Sequence, residues 1–200
     1  NLAEGRFTTA VSLLPPNGHL YNKTIERAKV LKSKGVDVIT IPDVSHGTRM
    51  SPLSLAVLVQ QEAGIETVLQ YSCRDRNILG MQSDMLGAHA MGIRNMLLVT
   101  GDARSVGDYP DATAVFDVDS IGLTNIVTSL NQGLDVGGQA ISQPTTFHTG
   151  VMVNPGAESL QAELRRFAYK VEAGAEFAVT KPVFDVSSVE SFFKEVESFG

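Results

Sequence analysis

The chain has 200 residues, 43% hydrophobic and 19% charged, which suits one globular domain with a sizeable core. A net charge of −6 with no basic run excludes a nucleic-acid footprint and a polybasic membrane patch, and no apolar run is long enough to span a bilayer. The single cysteine, Cys73, excludes an intrachain disulfide; it reads as a small buried core residue in a reducing, cytoplasmic setting. The opening residues NLAEGRF lack the basic and then apolar pattern of a signal peptide.

In chain order, TTAVSLL (8–14) reads as the first strand. NKTIERAKVLKSKG (22–35) follows as a helix with Ile25, Ala28 and Leu31 on one stripe and a stop at Gly35. VDVITI (36–41) is the second strand. SPLSLAVLVQQEAG (51–64) opens with Ser51 as a cap and Pro52 at the first helical position, and it stops at Gly64. ETVLQYS (66–72) and RNMLLVT (94–100) are the third and fourth strands. Between them NILGMQSDMLGAHAMG (77–92) spaces Ile78, Met81, Met85 and His89 three or four apart. After the fourth strand comes GDARSVGDYPDATAVFDVDS (101–120), in which five of twenty residues are aspartate. TTFHTGVMV (145–153) and EFAVTKPVF (176–184) are the last two strands. SSVESFFKEVESFG (187–200) carries a Ser187–Glu190 capping box and a stripe of Val189, Phe192, Phe193 and Val196.

These strands mostly lack polar alternation, as strands buried on both faces do. Strand–helix repeats allow an open doubly wound sheet or an eight-stranded barrel. PPNGH, PDVSHG and CRDRN follow the first three strands, and none is a glycine fingerprint, which weakens the dinucleotide form of the open sheet. Polar residues sit instead just past strand ends: Asp43, His46, Arg74, Asp75, Asp102, Asn154, Lys181 and Asp185. A barrel gathers such positions on one face, and its active site forms there. The expected fold is therefore α/β, a (β/α)8 TIM barrel of which this chain shows about the first six β/α units. Such a barrel needs about 250 residues, so residues 1–200 are expected to be one barrel domain, incomplete at its C-terminus.

Several residues could carry chemistry. Asp102 stands at the mouth directly after LLVTG, where it either caps a turn or touches a polar ring or cationic centre. Asp108, Asp111, Asp117 and Asp119 read as loop residues that face water or cap a helix. In CRDRNI (73–78), Arg74 and Arg76 either clamp a phosphate or carboxylate, or fasten loop to loop through Asp75. SHGTRMSP (45–52) combines His46, Arg49 and a helix start, a further anion-site candidate. His19, His46, His89 and His148 form no metal-binding pair, so no metal is expected, and His89 reads as a satisfied core histidine. Phosphate-loop, nucleophile-elbow and Cys-x-x-Cys signatures are lacking. Lys181 lies in a strand before proline; it either snorkels to the mouth or reacts, for instance as a Schiff base.

The runs CRDRNILGMQSDMLGAHAMGIRNMLLVTGD (73–102), VGDYPDATAVFDVDSIGL (106–123), FHTGVMVNP (147–155) and ELRRFAYKVEAGAEFAVTKPVFD (163–185), with VSLLPP (11–16), resemble the methylenetetrahydrofolate reductase family. The resemblance covers essentially the whole chain and is nearest the branch often fused behind a homocysteine S-methyltransferase domain. It implies FAD at the C-terminal mouth and hydride transfer from NADH or NADPH through the flavin to methylenetetrahydrofolate, giving methyltetrahydrofolate for methionine synthesis. Folate is the implied substrate. A homo-oligomer, with a fused methyltransferase domain or a partner subunit, is the implied setting, without nucleic acid or membrane. Asp102 is implied beside the flavin ring and Lys170 near its phosphates. Gln70, Thr100, Ser120, Asn154 and Tyr169 complete the implied cofactor contacts.

Four positions depart from the family pattern. Ser12 stands where the family has its acid glutamate, Lys181 where it has glutamine, Gln70 where histidine is common, and Tyr169 where some members have arginine. A serine hydroxyl cannot replace a carboxylic acid as proton donor. Asp102, Lys181 and Ser12 are thus the catalytic positions in question. The readings that follow are a reductase whose acid comes from elsewhere, a flavin- or folate-binding barrel that has lost the reaction, and a lysine-dependent aldolase-like enzyme using Lys181.

Overall fold

The computed structural model describes residues 5–44, 46–103 and 108–197. Its centre is a sheet of six strands: β1 (Ala10–Ser12), β2 (Val38–Ile41), β3 (Glu66–Ser72), β4 (Asn95–Val99), β5 (His148–Val153) and β6 (Phe177–Thr180). Between and after them run α1 (Asn22–Ser33), α2 (Pro52–Leu58), α3 (Ile78–Ala90), α4 (Ser120–Asn131), α5 (Leu160–Glu172) and α6 (Val186–Glu197). The strands lie side by side in sequence order, and every neighbouring pair is parallel. A doubly wound sheet reverses its strand order at a switch point. This sheet does not reverse; it curls as a barrel wall does. The architecture is six β/α units of a (β/α)8 barrel.

Parallel strands need a crossover between them, and the helices supply it on one face. On that face Ile39, Ile41, Leu69, Tyr71, Met96 and Leu98 pack against Leu55, Val59, Met81, Met85, Leu123 and Ile126 in the main core. A smaller cluster, Val153, Leu164 and Phe192, joins β5, α5 and α6. The expectation of strands buried on both faces holds in β4, where Met96, Leu97 and Leu98 are all buried. It fails in β3, where Val68 and Gln70 on the inner face are half-buried, and in β6, where Ala178 and Val179 are exposed. A barrel's inner face is covered by its opposite wall, and among the described residues this sheet has none.

Local signals account for most element ends. Ser51 caps α2 by accepting from Ser54 N, Pro52 is its first residue, and the last turn widens to a π-helical turn over Val59–Ala63 before Gly64 at φ 63°. Gly150 of β5 pairs with Phe177 of β6, and a Cβ at Gly150 would run into the Phe177 ring. The capping box at the last helix is corrected. The helix α6 starts at Val186, and Asp185 supplies the cap by accepting from Ser187 N, Ser187 Oγ and Ser188 Oγ. A carboxylate two residues further upstream reaches a free first-turn amide and takes the Ser187 and Ser188 hydroxyls as well. No helix among the described residues is long and apolar enough to cross a membrane.

Candidate functional site

The C-terminal ends of the strands frame a cavity of about 290 Å³. Gln70 from β3, Thr100 and Asp102 after β4, Ser120 opening α4, Asn154 after β5, Lys170 from α5 and Lys181 after β6 all line it. Position after a strand had put Asp102, Asn154 and Lys181 at one mouth, the family resemblance implied Gln70, Thr100, Ser120 and Lys170 beside them, and the fold brings all seven together. Ser12 and Tyr169 stand apart from that lining. Ser12 is exposed at the end of β1, and Tyr169 on α5 is 52% exposed.

Each wall is fixed by identifiable contacts. Thr100 Oγ1 accepts from Ser120 N at 3.1 Å, tying the end of β4 to the start of α4. Gly101 adopts φ 96°, and a Cβ there would lie 3.1 Å from Arg74 Cβ and 3.2 Å from Ser72 Cβ. Only glycine lets the β4 end pass so close to the β3 end. Asp119 caps α4 by accepting from Ile121 N and Gly122 N, and it pairs with Arg166 of α5 at 2.9 Å. Burial pushes the Asp119 carboxyl up, but the Gly122 amide and Arg166 outweigh it and hold it below the ordinary aspartate value. Asp117 accepts from Ile78 N at the start of α3. The aspartates of the long loop at 117 and 119 are thus helix anchors, as expected of loop residues.

On the far wall, Lys170 is 6% exposed. Its Nζ donates to Met152 O at 2.7 Å and lies 4.0 Å from Glu163 Oε1, which itself accepts from Asn154 N. Burial lowers the Lys170 pKa, and Glu163 opposes that shift without cancelling it. Lys181 is exposed, and its backbone N donates to Val153 O at 2.8 Å.

The arginines of CRDRNI are held by nearby carboxylates. Arg74 grips Asp75 bidentately, Nε to Oδ1 at 2.8 Å and Nη2 to Oδ2 at 2.6 Å, and Arg76 pairs with Asp84 of α3 at 3.0 Å. Arg49 in SHGTRMSP donates to Pro15 O and His46 O, so it ties loop to loop. His89 is satisfied by Thr146, whose backbone N donates to Nε2, and it meets the Phe147 ring edge-on. Cys73 is fully buried, and burial pushes its thiol up to about 12.

One mouth residue acquires a significance that its position after a strand did not reveal. Asp43, following β2, lines this cavity and a second one, also about 290 Å³, between the loops after β1, β2 and β3 and the acidic loop. Ser72 Oγ donates to Asp43 Oδ2 at 2.6 Å, while Oδ1 lies 3.7 Å from Arg74 Nη2. Burial raises the Asp43 pKa more than Ser72 and Arg74 lower it. The signal available in sequence was a carboxylate just past a strand; its partners, 29 and 31 residues away, left none.

The family described as Methylenetetrahydrofolate reductase matches residues 1–200. The chain is 26% identical over 193 residues to 5,10-methylenetetrahydrofolate reductase of Pectobacterium carotovorum subsp. carotovorum, covering 94% of this chain and 59% of that one. It is 25% identical over 201 residues to the enzyme of the same name from Escherichia coli (strain K12), covering 98% and 62%. The chain thus spans about three-fifths of the length of these curated relatives. Among solved structures, an uncharacterized protein from Clostridium thermocellum that binds two copies of 5-methyl-5,6,7,8-tetrahydrofolic acid superposes with TM-score 0.63 at 13% identity, covering 98% of this chain and 62% of that one. This last likeness concerns the fold.

Proposed function

We propose, since this chain belongs to the methylenetetrahydrofolate reductase family over all its 200 residues, that the full-length protein reduces 5,10-methylenetetrahydrofolate to 5-methyltetrahydrofolate with FAD and a reduced nicotinamide. The observation that carries the reading is the convergence of Gln70, Thr100, Asp102, Ser120, Asn154 and Lys170 on one cavity at the strand ends. The family match favours this reaction over a Schiff-base aldolase at Lys181.

The residues fit a flavin. A cavity of about 290 Å³ lies at the small end of ligand sites and suits a planar ring system, with the rest of a dinucleotide running outside it. The Thr100 and Ser120 hydroxyls and the Gln70 and Asn154 amides offer both donors and acceptors, as the polar edge of such a ring requires. Bound FAD supplies hydride transfer. The chain's own part is placement. Gly101 lets the backbone come close, Asp102 sets a carboxylate at the ring's edge, and Arg166 with Lys170 makes the far wall cationic for phosphate. Lys181, exposed at the rim, offers its ammonium to a folate carboxylate.

In this reading the chain is part of a longer barrel domain. The share of its relatives that it covers supports this. So do the edges of β1 and β6, which pair with no further strand among the described residues. The domain is taken to work in the cytoplasm as a homo-oligomer of the methyltransferase-fused branch. The test is the visible spectrum of the purified full-length protein. Flavin bands that bleach with NADH or NADPH and return when methylenetetrahydrofolate is added are expected. A colourless protein that also gains no thermal stability from excess FAD would sink the proposal, because a ligand of the native state must stabilise it.

A further inference from the structure

Reducing the one-carbon bridge of the folate requires a proton as well as a hydride. The bond from the bridging carbon to N10 breaks, its electron pair stays on N10, and N10 takes up a proton. The carbon, left as an iminium on N5, then accepts the hydride that originates from the nicotinamide. The donor must be a group that is protonated in part near neutral pH and stands open to the substrate. Ser12 fails on the first count and lies outside the cavity lining.

We propose that the Asp43 carboxyl is the acid that delivers this proton. The inference rests on the reductase reading above. Asp43 stands on the wall shared by the two mouth cavities, so a ligand in either one meets it. It follows β2, the strand that pairs with β1, and lies three residues beyond Thr40, the register partner of Ser12. Its two oxygens have different surroundings. The Ser72 hydroxyl fixes Oδ2 as an acceptor at 2.6 Å. Oδ1 faces Arg74 Nη2 at 3.7 Å, beyond hydrogen-bond reach, while Nε and Nη2 of that guanidinium donate to Asp75. Oδ1 is thus the oxygen that carries the proton, and Arg74 and Ser72 steady the carboxylate left after delivery.

The charged groups facing this site are Arg74 and Asp75 from the loop after β3, Arg49 across the second cavity, and Lys181 across the first. Asp102 acts on Arg74 from the loop after β4. Desolvation is the largest influence on Asp43, and it favours the protonated form.

The experiment compares the two half-reactions of the full-length protein and its Asp43→Asn and Asp43→Glu variants by stopped-flow absorbance. In Asp43→Asn, reoxidation by methylenetetrahydrofolate is expected to slow by about 100-fold or more. Reduction by the nicotinamide should slow far less, and Asp43→Glu should recover part of the loss. In the folate-free protein, the carboxyl carbon resonance that vanishes in Asp43→Asn should titrate above the ordinary aspartate value. Equal slowing of both half-reactions, unchanged reoxidation, or titration at or below the ordinary value would overturn the assignment. A parent protein that reoxidises normally while Asp43→Asn does the same removes only Asp43. A parent that is never reoxidised by the folate removes the reductase reading together with it.

Discussion

The two walls of the mouth bury charge in opposite senses. On the β2–β3 wall the ungripped group is an acid: Asp43 sits behind Ser72 while Arg74 is locked to Asp75. On the β5–α5 wall it is a base: Lys170 reaches a main-chain carbonyl, with Glu163 only at 4.0 Å. Burial pushes both toward their neutral forms, Asp43 upward and Lys170 downward. The arginine differs from both. A guanidinium cannot shed its charge, so burying it demands the bidentate partner that Asp75 supplies. In the proposals above, the first wall releases a proton and the second, where Arg166 adds its fixed charge to Lys170, holds an anion.

Removing the locked cation should have the largest effect. Arg74→Ala removes the countercharge beside Asp43, whose side chain is 21% exposed, while Asp75 at 58% stays solvated, and a loss of about 2 kcal/mol is expected in urea unfolding. A loss no greater than that of Arg166→Ala would erase the contrast between a buried arginine and an open one. Lys170→Met comes next. It strands the Met152 carbonyl but also relieves a desolvated charge, so a net loss of about 1 kcal/mol is expected at neutral pH.

The pH profile of Lys170→Met sharpens the comparison further. With the folded pKa below the unfolded one, the unfolded chain binds more protons between the two values, so parent stability rises with pH through that window. The rise begins at the lowered folded pKa and is complete above the ordinary lysine value. Lys170→Met should lack it, and an identical rise in both proteins, followed by denaturant titration at stepped pH, would show that Lys170 is not its source. The smallest effect belongs to Arg166→Ala. Its partner Asp119 is 39% exposed and Arg166 is 47% exposed, so less than about 1 kcal/mol should be lost, and salt should screen most of that.

The strands were legible because buried parallel strands need unbroken runs of Val, Ile and Leu, and ETVLQYS became β3 residue for residue. The choice of barrel over open sheet was legible only indirectly, from the polar residues just past the strand ends and the lack of a glycine fingerprint, since strand order itself is a long-range property that leaves no mark within one run. Seven mouth residues could be gathered in advance because each directly follows a strand, opens a helix, or belongs to a motif with a known counterpart. What stayed hidden were partnerships across units. That Asp43 would meet Ser72, and that Arg74 would also stand 3.7 Å from Asp43, depends on side-chain reach between loops. Lys170 is instructive in the same way: a lysine in a helix reads as solvent-facing, and its burial follows from a stem long enough to reach the Met152 carbonyl. At α6, two local signals competed, and the carboxylate of Asp185 prevailed over the hydroxyl of Ser187.

The sequential order of the strands has a bearing on how the chain assembles during synthesis. Each strand finds its neighbour in the unit translated immediately before it. No pairing among these six waits for a segment made much later, so the entropy lost in closing each loop stays modest. A nascent chain can add one β/α unit at a time to a template already in place, with the newest strand offering its free edge to the next. The slowest increment should be the step from β4 to β5, where the acidic loop and α4 lengthen the excursion before the sheet can grow again.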